Sequence, residues 1–131
     1  MIGIDTNILL RLWLNDDRAQ NKRIDALLAE HGGTPASLLV TDVVLAEAVW
    51  TLRSAFDQEK AAQLIAVRSL LHEMAFAFED RDVVTQAADM FEQGSCGFSD
   101  CLVVAKHARY GCAFTATFDR GMRKLPGIKM L

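Results

Sequence analysis

The sequence predicts an α/β domain built on a parallel sheet of four to five strands surrounded by helices, and three observations carry that expectation. Short apolar runs alternate with longer segments of helical periodicity, which is how strands and crossover helices read in one chain. Capping and stopping residues stand at the junctions between them. The length of 131 residues, with 51% hydrophobic and 24% charged residues, suits one domain covering 1–131 with a substantial core, and excludes a disordered or fibrous chain.

Taken in order, Met1–Ile4 reads as a first buried strand, and Asp5, Thr6 and Asn7 offer capping side chains ahead of a helix over Ile8–Leu14. Ala19–His31 carries Ile24, Leu27 and Leu28 at helical spacing and stops at Gly32-Gly33 and Pro35. Leu38–Val40 is a second strand, and Thr41 or Asp42 caps a helix running to about Ala55. Asp57–His72 forms the partner helix of a hairpin, with Ala61, Leu64, Ile65 and Leu71 on one side. Ala75–Phe78 is a third strand. Val83, Val84, Ala87, Ala88 and Phe91 mark a helix ending at Gln93. After the Gly94–Gly97 loop, Phe98–Tyr110 is a helix closed by Gly111. Ala113–Ala116 is a fourth strand, Asp119–Lys124 a helical turn, and Ile128–Met130 an edge strand.

The opening fourteen residues are apolar, but Asp5 interrupts them and no basic leader or cleavage site follows, while no run is long enough to span a membrane. A soluble, cytoplasmic protein with no membrane partner is expected. Cys96, Cys101 and Cys112 match no zinc spacing, so they read as free buried thiols in a reducing compartment. The net charge of −3 argues at first against a nucleic-acid partner. Its distribution argues otherwise, because Lys106–Leu131 holds six basic residues and a single acid, Asp119.

Ligands of parallel α/β sheets bind beyond the carboxyl ends of the strands. Asp5 follows the first strand and Asp119 the fourth, although either could serve only as a helix cap. Glu47 shares a side with Val43, Val44 and Trp50 in a helix apolar almost all round, where an unpaired carboxylate is costly. Asp100 lies in a first helical turn, favoured there by the helix dipole, and shares an inward side with Val103, Val104 and His107 while Lys106 and Arg109 point away. His107 is seven residues further, roughly 10 Å along the axis, and reads as a core or rim histidine instead of a ligand of the same ion. Four gathered carboxylates would demand hard divalent cations, one or two Mg²⁺ or Mn²⁺ ions, and would leave the rest of the chain with a net charge of +1.

Ile4-Asp5-Thr6-Asn7, Glu47, Phe98-Ser99-Asp100-Cys101-Leu102 and Thr117-Phe118-Asp119-Arg120 resemble, in this order, the four motifs of PIN domains. In order, spacing and length the chain is similar to VapC toxins from Met1 to Leu131; Ser99 stands where many relatives have alanine. The resemblance implies a PIN-like fold and a Mg²⁺- or Mn²⁺-dependent endoribonuclease, the toxin of a VapBC-type toxin–antitoxin system. It assigns Asp5, Glu47, Asp100 and Asp119 to metal and catalysis, with Thr6, Asn7 and Thr117 as supporting hydrogen-bonding residues. It also implies a homodimer held inactive by a cognate VapB-like antitoxin. Arg11, Arg120, Arg123 and Lys124 are candidate contacts to RNA phosphates.

Two other readings stand beside this one. The first is a PIN-like binding module without catalysis, against which the presence of all four acids argues. The second is a phospho-receiver domain, kept open by Asp80 alone, since Asp16-Asp17 lie far from the first strand and Asp119 occupies the place of the required lysine. A dehalogenase-type phosphatase would need an acid at Asn7, and no Gly-x-Gly-x-x-Gly follows the first strand.

Overall fold

The computed structural model describes residues 1–131 and divides into two compact units, Met1–Glu79 and Asp80–Leu131. The first unit contains β1 (Ile2–Gly3), α1 (Thr6–Leu14), α2 (Arg18–His31), β2 (Leu38–Val40), α3 (Asp42–Ser54), α4 (Lys60–His72) and β3 (Phe76–Phe78). The second contains α5 (Arg81–Gln93), α6 (Phe98–Arg109), β4 (Thr115–Thr117), a 3₁₀ turn at Arg120–Met122 and β5 (Ile128–Met130). All five strands pair in parallel, as the alternation of short and long segments requires, but in two ladders. One runs β1-β2-β3, with Ile2 opposite Leu38 and Leu38 opposite Phe76; the other pairs β4 with β5, Thr115 opposite Ile128. Strand edges differ from the sequence reading by a residue or two, most at β4, which begins at Thr115 and not Ala113.

In the first unit the starts of α1 and α2 are dictated locally, and that of α3 is not. The Asp5 side chain accepts from the Thr6 N–H at 2.7 Å to begin α1, and the Asp17 side chain accepts from the Gln20 N–H at 3.0 Å to begin α2. Asn15 ends α1 in the left-handed conformation (φ 50°), which asparagine tolerates better than most residues, and returns its N–H to the Arg11 carbonyl at 2.8 Å. Thr41 makes no side-chain cap to α3. The Asp42 N–H instead donates to Glu79 Oε2 at 2.6 Å, across 37 residues. Leu9, Leu38, Val40, Leu45, Val49 and Val67 are fully buried, and Leu10, Leu52 and Ala66 form a cluster flanked by Trp13 and Leu14.

Two helix faces differ from expectation. The buried side of α4 is Gln63, Ala66, Val67 and Leu70, spaced i, i+3, i+4, i+7, whereas Ala61 and Ile65 face solvent. In α3 the buried side is Asp42, Leu45, Ala48, Val49 and Leu52, and Val43 and Trp50 are exposed. Both helices are apolar on more than one side, so periodicity says which residues share a face without saying which face turns inward.

The second unit is organised by α5 packed on α6, where Phe91 and Phe98 meet edge to face with centroids 5.9 Å apart. The buried residues of α5 are the five expected, Val83, Val84, Ala87, Ala88 and Phe91. Asp80 caps that helix through the Asp82 and Val83 N–H groups and pairs with Arg109 at 2.8 Å. All three cysteines are free; Cys96 and Cys101 are buried as expected, but Cys112, in the turn after α6, is exposed. No helix is long and apolar enough to cross a membrane.

Candidate functional site

The carboxyl edge of the β1-β2-β3 ladder carries acids after every strand. Asp5 comes two residues after β1, Asp42 two after β2, and Glu79 immediately after β3. Asp5 is exposed, with one carboxylate oxygen engaged by the Thr6 N–H, while Thr6 itself is buried. Asn7 is exposed and lines a cleft of about 340 Å³ with Ile8, Arg11, Gln20, Arg23 and Ile24. The guanidinium of Arg11 lies 3.3 Å from Asp16 and 5.8 Å from the Phe56 ring centre, so its charge already has neighbours. Glu47 corrects an expectation: its side of α3 is open to solvent, flanked by exposed Val43 and Trp50, so burial does not force a partner on it. Asp42 is the buried acid of this region, and the sequence reading used it only as a cap. The signal for it and Glu79 lies in the acids that end Leu39-Val40-Thr41-Asp42 and Phe78-Glu79.

In the second unit two of the expected acids come together. Asp100 sits in the first turn of α6 and is partly buried. Its expected companions divide: Val104 is buried, whereas Val103 and His107 are exposed and Lys106 is the more sheltered basic residue. Burial raises the proton affinity of the Asp100 carboxyl above the ordinary aspartate range, the negative charge of Asp119 raises it further, and a hydrogen bond from the Gly97 backbone works against both. His107 does not join them, since its Nδ1 lies 2.8 Å from Thr115 Oγ1.

The Asp119 turn is tightly constrained. Its Oδ1 accepts from the Gly121 N–H at 2.8 Å, and its own N–H donates to Thr117 Oγ1 at 3.0 Å. A Cβ at Gly121 would stand 3.0 Å from that same oxygen, so a side chain there would push the carboxylate aside. The Cys96 thiol donates to the Gly121 carbonyl at 2.8 Å, tying the loop that leads into Asp100's helix to the turn that presents Asp119. Arg120, Arg123 and Lys124 are exposed around this turn. Asp80, the residue that kept the phospho-receiver reading open, is engaged by two backbone N–H groups and Arg109. Within neither unit do three acidic, histidine or cysteine side chains stand as a ready metal cluster.

The PIN domain family model matches residues 2–128, which takes in all four acids singled out above. The chain belongs to the PIN-domain family. Among curated proteins this PIN domain is similar to "VapC ribonuclease" of Aquifex aeolicus (strain VF5), with 24% identity over 122 residues, 93% of this chain and 90% of that protein. The match extends through both units of the PIN domain, and Asp5 and Asp119 stand after parallel strands as the motif order led us to expect.

Proposed function

We propose that this PIN domain, residues 1–131 acting as one domain, is a divalent-metal-dependent endoribonuclease of the VapC type and the toxin of a VapBC-type pair. The observation that carries the reading is the Asp100–Asp119 pair, two carboxylates near enough for one to raise the proton affinity of the other. Such a pair is relieved by a cation, and its all-oxygen donor chemistry fits Mg²⁺ or Mn²⁺ better than zinc. Asp5, Asp100 and Asp119 would hold one or two ions, with Glu47 completing the set or orienting the attacking water. When bound, Mg²⁺ or Mn²⁺ supplies Lewis acidity and charge neutralisation at a phosphodiester.

The residues of the chain do the rest. Thr6 and Gly121 fix Asp5 and Asp119 through their N–H groups, and Thr117 fixes the backbone of Asp119. Arg120, Arg123 and Lys124, with Arg11 in a lesser role, contact RNA phosphates and hold the strand for in-line attack, while Asn7 supports the acids by hydrogen bonding. Hydrolysis by water leaves 5′-phosphate and 3′-hydroxyl ends. The resemblance to VapC proteins supports a cytoplasmic homodimer silenced by a VapB-like antitoxin.

The test is cleavage of a mixed RNA pool by the purified chain with Mg²⁺, Mn²⁺ or EDTA, beside Asp5→Asn and Asp100→Asn. Asparagine caps helices as well as aspartate, so the first variant should remain folded. We expect metal-dependent cutting that falls on the order of 10³-fold in either variant, as losing several kcal/mol of charge stabilisation demands. Cutting that survives EDTA, or products with cyclic 2′,3′-phosphate ends, would refute the metal-assisted reading. Absence of cutting by folded protein would favour a binding module.

A further inference from the structure

Phe114 and Phe118 flank β4 and differ in their surroundings. Phe114 is 48% exposed and carries the Lys129 ammonium over its ring, 4.8 Å from the centroid. Phe118 is 81% exposed and has neither a ring nor a cation against it. A lone exposed phenylalanine is unremarkable in itself, but the backbone around this one is held on both sides. The Thr117 carbonyl accepts from the Leu131 N–H at 3.0 Å, and the next peptide is fixed by the Asp119 N–H to Thr117 Oγ1 bond and the Gly121 N–H to Asp119 Oδ1 bond. The ring is therefore displayed from a constrained turn. Three cations, Arg120, Arg123 and Lys124, follow within six residues, all exposed, with Asp119 as the single acid among them. An aromatic face interleaved with free cations is the chemistry of a nucleic-acid strand, whose bases stack and whose phosphates pair. A protein partner seated on the same ring would have to meet three positive charges as well.

We propose that Phe118 is a stacking platform for an unpaired base next to the phosphodiester presented to Asp119, with Arg120, Arg123 and Lys124 contacting the neighbouring phosphates. The inference rests on the ribonuclease reading and deepens it: Phe118 is a positioning residue that fixes the register of the strand, and it takes no part in proton transfer.

The test uses the full chain carrying Asp5→Asn to suppress cleavage, with a short unstructured RNA containing 2-aminopurine, whose fluorescence is quenched by stacking. Phe118→Ala should weaken binding of the single strand about tenfold, the scale of one lost aromatic–base stack, and abolish the quench. Phe118→Trp should restore both, and the salt dependence of binding should stay unchanged because no cation is removed. Binding to the fully paired duplex of the same sequence should not respond to Phe118→Ala. Because the side chain is exposed, the variant should melt as its parent does. Unchanged affinity and quenching in Phe118→Ala would overturn the proposal, as would an equal loss on duplex. A changed sedimentation coefficient with unchanged RNA binding would overturn it in favour of a protein contact. The two readings fail separately: wild-type protein that cuts RNA while Phe118→Ala binds normally refutes the stacking role alone. Protein that never cuts while the quench still depends on Phe118 refutes the nuclease alone.

Discussion

The two units position their acids by different physical means. In Met1–Glu79 Asp5 is a helix cap in solvent, and Glu47 lies on an open helix face. In Asp80–Leu131 Asp100 and Asp119 feel one another's charge and are linked through the Cys96–Gly121 hydrogen bond. The first arrangement leaves each carboxylate open to water. The second places two carboxylates where one feels the other's charge, the kind of perturbation that functional sites commonly contain.

The largest effects that bear on this comparison come from the cores. Leu45→Ala in α3 should cost roughly 2–5 kcal/mol and Phe91→Ala in α5 roughly 3–5 kcal/mol. In a denaturant titration both should shift a single transition if residues 1–131 form one domain; two transitions, each moved by its own variant, would break that proposal. Smaller effects come from the caps. Asp80 serves two N–H groups and Asp17 one, so Asp80→Ala should cost about 1–2 kcal/mol and Asp17→Ala about 0.5–1 kcal/mol. The Arg109 pair should add little, because the guanidinium is largely in water. Equal losses, measured by thermal melts, would show that the additional bonds to Asp80 contribute nothing.

The smallest effect is the most diagnostic. The folded state raises the proton affinity of Asp100, so its ionised form weakens the fold at neutral pH, and that penalty fades as the pH falls through the raised value towards the ordinary aspartate value. Asp100→Asn should therefore raise the melting temperature slightly at neutral pH, and the gain should vanish below the ordinary aspartate value. A gain that persists in acid would assign the effect to packing. Added Mg²⁺ should stabilise the parent and not the variant.

Legibility in the sequence followed the degree of amphipathic contrast. In α5 the charged residues oppose Val83, Val84, Ala87, Ala88 and Phe91, and the inward face was legible in full. In α3 and α4 apolar residues such as Val43, Trp50 and Ile65 lie outside the buried stripe, so a helical wheel has no basis for choosing between faces. Strand ends made Asp5 and Asp119 visible, because the chain must leave a parallel strand through a capped turn. Contacts made at long range were not visible: neither the Cys96 thiol at the Asp119 turn nor the mutual charge of Asp100 and Asp119 follows from spacing alone.

The Glu79 carboxylate at the start of α3 has a consequence for how the chain is made. Synthesis proceeds from the amino end, so residues 42–54 of α3 are polymerised before residue 79. Thr41 supplies no side-chain cap, so the carboxylate that accepts from the Asp42 N–H reaches the first turn of α3 only once β3 has joined the ladder. A nascent chain that is still short of Glu79 therefore lacks both one acid of the sheet's carboxyl edge and the side-chain acceptor for the Asp42 N–H.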